Sequence, residues 1–241
     1  MSEQLAIRVG IPGPWPKRSD LVAAVRQRAP GYVIAGKVLK HEGTAAELPI
    51  LVTEHDPALG ASFRALRYDS GLGPAELDAI DRHQRTVWLA GAPDAAGAAQ
   101  LLAWSAPILR AGGLAVAVPT AGKVHRADDW LRLTEHPQEP DCLWAALVSL
   151  AQAPDGSGYF SSGMQHFGLA DACVPADLSP ERAGALLRAF EVHLLRDHPD
   201  LREGLSFRPE REGPVFRLSL EGPRFPAGHA QHNPYGAWRL A

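Results

Sequence analysis

The stretch TVWLAGAPDAAGAAQLLAWSAPILRAGGLAVAV, residues 86–118, decides the fold class. It begins with an apolar run over 86–90 and ends with another over 114–118, and such runs are typical of strands buried on both faces. Between them, apolar residues recur at helical spacing after Asp94, a favourable N-cap residue, and Gly112-Gly113 ends the helix. The segment therefore predicts a strand–helix–strand unit with two parallel strands in one sheet.

Shorter elements are predicted on both sides of this unit. Upstream, the pattern indicates a strand over 5–9, a Gly/Pro loop over 10–16, a helix from Ser19, and strands over 32–39 and 48–53. Downstream, it indicates a helix over 128–133, a helix between Ser179 and His198, and a hairpin over 205–220. The run over 143–150 is apolar on both faces, which indicates a central strand or a short buried helix, and the strand is favoured.

The predicted fold class is α+β. We expect a mixed sheet that holds the parallel strand–helix–strand unit and a C-terminal antiparallel hairpin, with helices packed on the sheet. The chain of 241 residues is expected to be one domain over 1–241, with internal halves 1–120 and 121–241 as the possible division. The tail over 232–241 is expected to be ordered, with Trp238 mostly buried.

Composition narrows the class of protein. The formal net charge of −3 and the scattered basic residues argue against nucleic-acid binding. The longest apolar stretch, 142–151, is too short to span a bilayer, so no membrane association is expected. The two cysteines do not make a disulfide framework, and the first residues do not form a signal peptide. These features predict a soluble cytoplasmic protein, and the richness in Ala, Gly, Pro and Arg indicates a bacterial source.

Three segments are familiar when they are taken together. They are GGLAV at 112–116 running on to GKVH at 122–125 and Trp130, then SGMQHFGL at 162–169, then HNPYGAWRL at 232–240. In this order they resemble a bacterial family called domain of unknown function 4261, over residues 86–241. The resemblance implies a relative in fold. It transfers no catalytic residue, because the family carries no established activity.

Familiar catalytic and cofactor motifs are incomplete in this chain. After the first buried strand, Gly91 and Gly97 match part of a dinucleotide fingerprint, but Pro93 removes an N–H donor and Asp94 repels phosphate. Ser161 and Ser162 precede a glycine without the Gly-x-Ser-x-Gly arrangement. We therefore expect neither a bound cofactor nor a serine-hydrolase site.

Metal binding is also not predicted. His229 and His232 are three residues apart, a spacing that zinc sites use, but a third ligand is not evident and the segment is a Pro/Gly-rich tail. The pattern favours polar histidines in a surface loop.

The predicted function is that of a binding or interaction module whose partner is an unknown small molecule or protein. Three loops carry polar groups that could meet in one cleft, and they supply the candidate ligand-binding residues Lys123, His125, His166 and His232. The alternative is an enzyme of unrecognised type with a site built from the loops 123–125, 164–166 and 232–233. The sequence leaves both open, and it leaves open that each polar group only caps a turn or faces water.

Overall fold

The computed structural model describes residues 6–67 and 70–241. Leu5, where the first strand is predicted to begin, lies outside the described residues. The helices are α1 (Arg18–Arg28), α2 (Pro57–Ala65), α3 (Pro74–Asp81), α4 (Ala95–Arg110), α5 (Ala127–Leu133), α6 (Pro140–Leu147) and α7 (Pro180–Asp197). The strands are β1 (Ile7–Gly13), β2 (Tyr32–Ala35), β3 (Val38–His41), β4 (Glu47–Glu54), β5 (Arg85–Gly91), β6 (Ala115–Val118), β7 (Lys123–Arg126), β8 (Ser149–Gln152), β9 (Gly158–Ser162), β10 (Asp171–Pro175), β11 (Ser206–Phe207), β12 (Phe216–Glu221) and β13 (Ala237–Leu240).

The first sheet contains the predicted strand–helix–strand unit. Its strand order is β2-β3-β4-β5-β1-β6-β7, and every neighbouring pair in it is antiparallel. Strands β5 and β6 run in the same direction because both are antiparallel to β1, which lies between them. Asp94 caps the connecting helix α4, since its carboxylate accepts a hydrogen bond from the Gly97 N–H at 2.7 Å. The α+β class is confirmed, with β1 inserted between the two strands of the unit.

The loop predicted over 10–16 is wrong in its first part, because β1 continues to Gly13 in the centre of the sheet. The glycines that suggested a loop serve packing instead. A Cβ added at Gly10 would lie 2.6 Å from the Trp88 ring, and one added at Gly13 would lie 2.2 Å from the Trp15 ring. Glycine in this strand therefore makes room for two indole rings.

The second sheet is formed by the C-terminal part of the chain. Its strand order is β11-β12-β13-β10-β9-β8, and β10 and β13 form a parallel pair that the sequence does not reveal. The predicted hairpin is present, with Phe207 opposite Phe216. Strand β13 lies between β12 and β10, so the tail is ordered as expected, and Trp238 packs against the core of this sheet, mostly buried as expected.

Helix α6 joins the cores of the two sheets. Leu143, Ala146 and Leu147 belong to the core under the first sheet, while Trp144 and Val148 belong to the core between α7 and the second sheet. The strand favoured over 143–150 is therefore wrong up to Leu147, where the alternative of a short buried helix is confirmed, and β8 begins only at Ser149. A helix buried on two sides is apolar all round, so its sequence does not show the 3.6-residue period.

Within the described ranges, every helix is too short or too polar to cross a membrane.

Candidate functional site

The candidate site is a cleft where the two sheets approach each other. Strand β7 is the last strand of the first sheet and β8 is the last strand of the second. Residues 122–125 and 148–150 line the two sides of a cleft of about 330 Å³, together with Trp144 and Asp129. This volume is at the lower end of the range that small-molecule sites occupy.

Lys123 lines this cleft and is anchored to the end of helix α6. Its Nζ donates to the carbonyl oxygens of Ala145 and Val148 at 2.6 and 2.5 Å, and it lies 5.7 Å from the centre of the Trp144 ring. The last carbonyls of a helix have no partner within the helix and carry partial negative charge, so an ammonium group is well placed there. Lys123 therefore caps α6.

Two predicted histidines also bind the end of α6. His125 Nε2 lies 2.9 Å from the Ala146 oxygen, and His166 Nδ1 lies 3.2 Å from the Leu147 oxygen. A carbonyl oxygen only accepts, so each of these ring nitrogens carries the proton and donates. The second nitrogen of His166, Nε2, then accepts from the Thr120 hydroxyl at 2.7 Å.

Both imidazoles are held neutral. Burial, with a smaller contribution from the Lys123 ammonium, lowers the pKa of His125 to about 3. Burial lowers the pKa of His166 to about 4. Of the two, His125 lines the cleft with Lys123, while His166 contacts α6 from outside the cleft lining.

The third predicted loop also reaches this region, but not through its histidine. His232 Nδ1 donates to the Phe225 oxygen at 2.8 Å and so links two parts of the C-terminal tail. The neighbouring Gln231 amide donates to the Ala121 oxygen at 3.2 Å, next to the cleft residue Gly122. The structure therefore brings Lys123, His125 and His166 together at the end of α6 and leaves His232 apart from them.

A buried polar cluster lies behind the cleft wall. The indole of Trp144 donates to Glu191 Oε2 at 2.7 Å, and the Ser161 hydroxyl contacts the other oxygen of this carboxyl group. Burial raises the pKa of Glu191 to about 8. Asp171 accepts from the backbone N–H groups of Gly163 and Met164, and burial raises its pKa to about 7.

Four residues of this region, Trp144, Ser149, Asp129 and Glu191, are not predicted from the sequence. A usable signal exists only for Glu191, because it falls on the apolar stripe of α7 four residues after Leu187 and three before Leu194. The others acquire their positions only when α6 is packed between the sheets.

A second groove, of about 760 Å³, lies on the outer side of α7. Its arginines Arg188 and Arg196 both bind the carboxylate of Asp141, at 2.9 and 3.0 Å. His193 Nδ1 lies 2.7 Å from the Asp197 carboxylate. The cleft between β7 and β8 is the stronger candidate, because it lies where the two sheets meet and holds the predicted site residues Lys123 and His125, which the groove on α7 does not.

Across residues 6–67 and 70–241, three or more His, Cys, Asp or Glu side chains do not gather in a way that could hold a metal ion. No family model, curated protein or solved structure matches this chain, and its similarity to the domain of unknown function 4261 family stays a prediction.

Proposed function

We propose that this protein is a binding module whose ligand occupies the cleft between β7 and β8. The observation that carries the proposal is the cleft itself, which is formed by the last strands of two different sheets and has an indole, Trp144, in its wall. Concave sites between packed units, with an aromatic wall and few polar groups, are common ligand sites.

The polar side chains of the cleft favour binding over proton transfer. Lys123 and His125 are committed to the carbonyl oxygens of α6, and the Ser149 hydroxyl donates to the Ala121 oxygen at 2.5 Å. A general acid or base acts at a pKa near the working pH, and the pKa of His125, lowered to about 3, is far from it.

The proposed module is a bacterial cytoplasmic protein of the domain of unknown function 4261 type, and its partner is a small molecule or a protein rather than a nucleic acid. The net charge of −3 supports the choice of partner, since a phosphate backbone is bound by clustered positive charge. Both cysteines, Cys142 and Cys173, are free thiols, in keeping with a reducing compartment.

The test is a thermal-shift screen with metabolites and short peptides, on the full chain and on two matched variants. Asp129 lines the cleft and Asp128, beside it in the first turn of α5, does not. We expect hits to raise the Tm of the wild type and of Asp128→Trp, and to lose this effect in Asp129→Trp, whose indole fills the cleft.

The two variants should differ only slightly in Tm without a ligand. Each loses one carboxylate from the first turn of the same helix, and the exposed ion pair with Arg132 that Asp129→Trp also removes contributes little. Stabilisation that persists in Asp129→Trp, or a screen without any hit that depends on the cleft, contradicts the proposed function.

A further inference from the structure

The indole of Trp144 lies between the cleft and a buried carboxyl group. Trp144 lines the cleft, and its Nε1–H donates to Glu191 Oε2 at 2.7 Å. Glu191 belongs to α7 and is fully buried. Displacement of this one indole would therefore connect the carboxyl group to the cleft.

The hydroxyl of Ser161 can serve Glu191 in two directions. Ser161 Oγ accepts from the Ala172 N–H at 2.8 Å, lies 3.3 Å from the Ala172 oxygen, and contacts Glu191 Oε1. A protonated Glu191 donates to Ser161, whose own proton then goes to the Ala172 oxygen. A carboxylate only accepts, so loss of the proton turns the Ser161 hydroxyl toward Glu191. Deprotonation thus removes the hydrogen bond to the Ala172 oxygen.

The elements packed around Glu191 favour its neutral form. Helix α6 and strand β9 supply the uncharged donors Trp144 and Ser161. Strand β10 supplies Asp171, whose negative charge adds to the effect of burial and raises the pKa of Glu191. A carboxylate has about four acceptor sites, so two neutral side-chain donors compensate its charge poorly.

Two cations lie beside the indole. Lys123 Nζ, from β7, and the Arg188 guanidinium, from α7, are each 5.7 Å from the centre of the Trp144 ring. Lys123 is held by the end of α6 and Arg188 by the Asp141 carboxylate. A negative charge on Glu191 attracts both cations away from these acceptors, which loosens the wall of the cleft.

We propose that Glu191 is a proton-controlled latch on the wall of the cleft. The protonated acid holds the Trp144 indole in the wall. Loss of the proton releases the indole, so that the cleft extends to the carboxylate and water from the cleft solvates it. The latch regulates the cleft that the proposed function assigns to a ligand, and so it rests on that function. A ligand that packs against Trp144 in the closed wall binds the protonated protein more tightly.

Fluorine NMR of the full chain labelled with fluorotryptophan follows the indole without any ligand. The chain has six tryptophans, and Trp144→Phe identifies the Trp144 resonance by its loss. Burial raises the pKa of Glu191 to about 8, so we expect the Trp144 resonance to shift between about pH 6 and about pH 9, with a midpoint near 8. Trp104, in the core under the first sheet, should keep its resonance position.

A neutral nitroxide in solution tests the opening, because it broadens the resonances of the groups that it can reach. We expect it to broaden the Trp144 resonance at the alkaline end of the titration and not at the acidic end. Glu191→Gln should remove both the shift and the broadening, since the amide keeps one donor and one acceptor at every pH. The matched variant Glu181→Gln, at an exposed position of the same helix, should keep both.

Asp171→Asn separates the two buried acids. The charge of Asp171 contributes to the raised pKa of Glu191, so its removal should move the midpoint of the Trp144 titration to lower pH. A titration that persists in Glu191→Gln and disappears in Asp171→Asn belongs to Asp171 and overturns the latch.

Two further outcomes overturn it. One is a Trp144 resonance that stays constant over the whole titration, and the other is a shift without broadening by the nitroxide. The proposed function is judged separately, by the ligand-dependent gain in Tm that Asp129→Trp removes. Since the fluorine measurement uses no ligand, failure of the latch and failure of the binding module are distinguishable.

Discussion

At the scale of single residues, Glu191 is held as a neutral acid. It is fully buried on the stripe of α7 that also carries Phe190 and Leu194. A protonated carboxyl group suits its neighbours, because it can donate to the Ser161 hydroxyl while its other oxygen accepts from Trp144. Ser161 in turn lies 3.3 Å from the Ala172 oxygen, to which it can donate. Every polar group in this chain of contacts is satisfied when Glu191 carries a proton.

Glu191→Gln should therefore stabilise the protein at alkaline pH. The amide reproduces the donor and the acceptor of the protonated acid. The wild-type carboxyl group has its pKa raised from 4.5 to about 8 in the folded state, so the wild type loses stability as the pH rises between these values. We expect the variant to equal the wild type near pH 4.5, and to exceed it by roughly 4 kcal/mol near pH 8.

Urea unfolding at several pH values measures this difference. Glu203→Gln, at an exposed turn, is the control and should follow the wild type throughout. Parallel pH profiles for Glu191→Gln and the wild type would show that the folded protein does not hold this proton.

At the scale of elements, the end of α6 depends on side chains from other parts of the chain. The carbonyls of Ala145, Ala146, Leu147 and Val148 receive donors from β7 and from the turn that holds His166. Helix ends buried without such donors are costly, because each unsatisfied group loses its hydrogen bonds to water. The polar loops thus fix the position of α6, and with it the shape of the cleft.

Lys123→Met keeps most of the side-chain volume and removes the donor to Ala145 and Val148. We expect it to lower the free energy of unfolding by roughly 2 kcal/mol, because two carbonyl oxygens lose a charged donor. Lys40→Met is the control, since Lys40 forms an exposed ion pair with Glu47 and should change stability by less than about 0.5 kcal/mol. Equal effects of the two substitutions in denaturant unfolding would contradict the capping role of Lys123.

The sequence predicts elements well where the pattern is local. The N-caps Asp94 and Ser179 mark the starts of α4 and α7, and both side chains accept hydrogen bonds there. Prediction from the sequence fails for β1, where glycine makes room for the rings of Trp88 and Trp15. It also fails for α6, whose apolar faces pack into two different cores. Such positions are set by long-range contacts, which a local pattern does not contain.

Prediction of the candidate site likewise succeeds where it depends on a local pattern and fails where it depends on long-range contacts. The sequence predicts that three loops meet in one ligand cleft. The structure brings Lys123, His125 and His166 to the end of α6, with His166 outside the cleft lining and His232 bonded to Phe225 instead, so a ligand site shared by these residues stays a prediction. Their partner, the end of α6, does not follow from the sequence, because an apolar run without a 3.6-residue period leaves a strand and a short buried helix both open. The cleft residues Trp144 and Ser149 come from the same segment, so they were missed for the same reason.

At the scale of the whole molecule, four buried groups control how stability depends on pH. Burial lowers the pKa of His125 and His166 from 6.5 to about 3 and about 4. Burial raises the pKa of Asp171 from 3.8 to about 7, and that of Glu191 from 4.5 to about 8. The folded protein therefore keeps two imidazoles uncharged down to about pH 4 and two carboxyl groups protonated up to mildly acidic pH.

The two buried imidazoles make the free energy of unfolding rise with pH, and the two buried carboxyl groups make it fall. Together they predict maximum stability at mildly acidic pH. From about pH 4.5 to 6.5 the unfolded chain holds protons on both imidazoles, while the folded chain holds them on both carboxyl groups, so the difference in bound protons is close to zero. Above pH 6.5 only the folded chain still holds these protons, on Asp171 and Glu191, so stability falls until both groups have ionised above pH 8. The free energy of unfolding already falls as the pH drops below about 4.5. Below about pH 4, the imidazoles of the folded chain also begin to accept protons. Burial also lowers the pKa of His83, which places the maximum toward the upper end of the window.

Urea unfolding should thus give a higher free energy of unfolding near pH 6 than near pH 8. Glu191→Gln should remove more than half of that decline, because the pKa of Glu191 is raised more strongly than that of Asp171. A free energy that rises or stays constant from pH 6 to pH 8 would mean that the two carboxyl groups are ionised in the folded protein, and that the cluster behind the cleft carries charge.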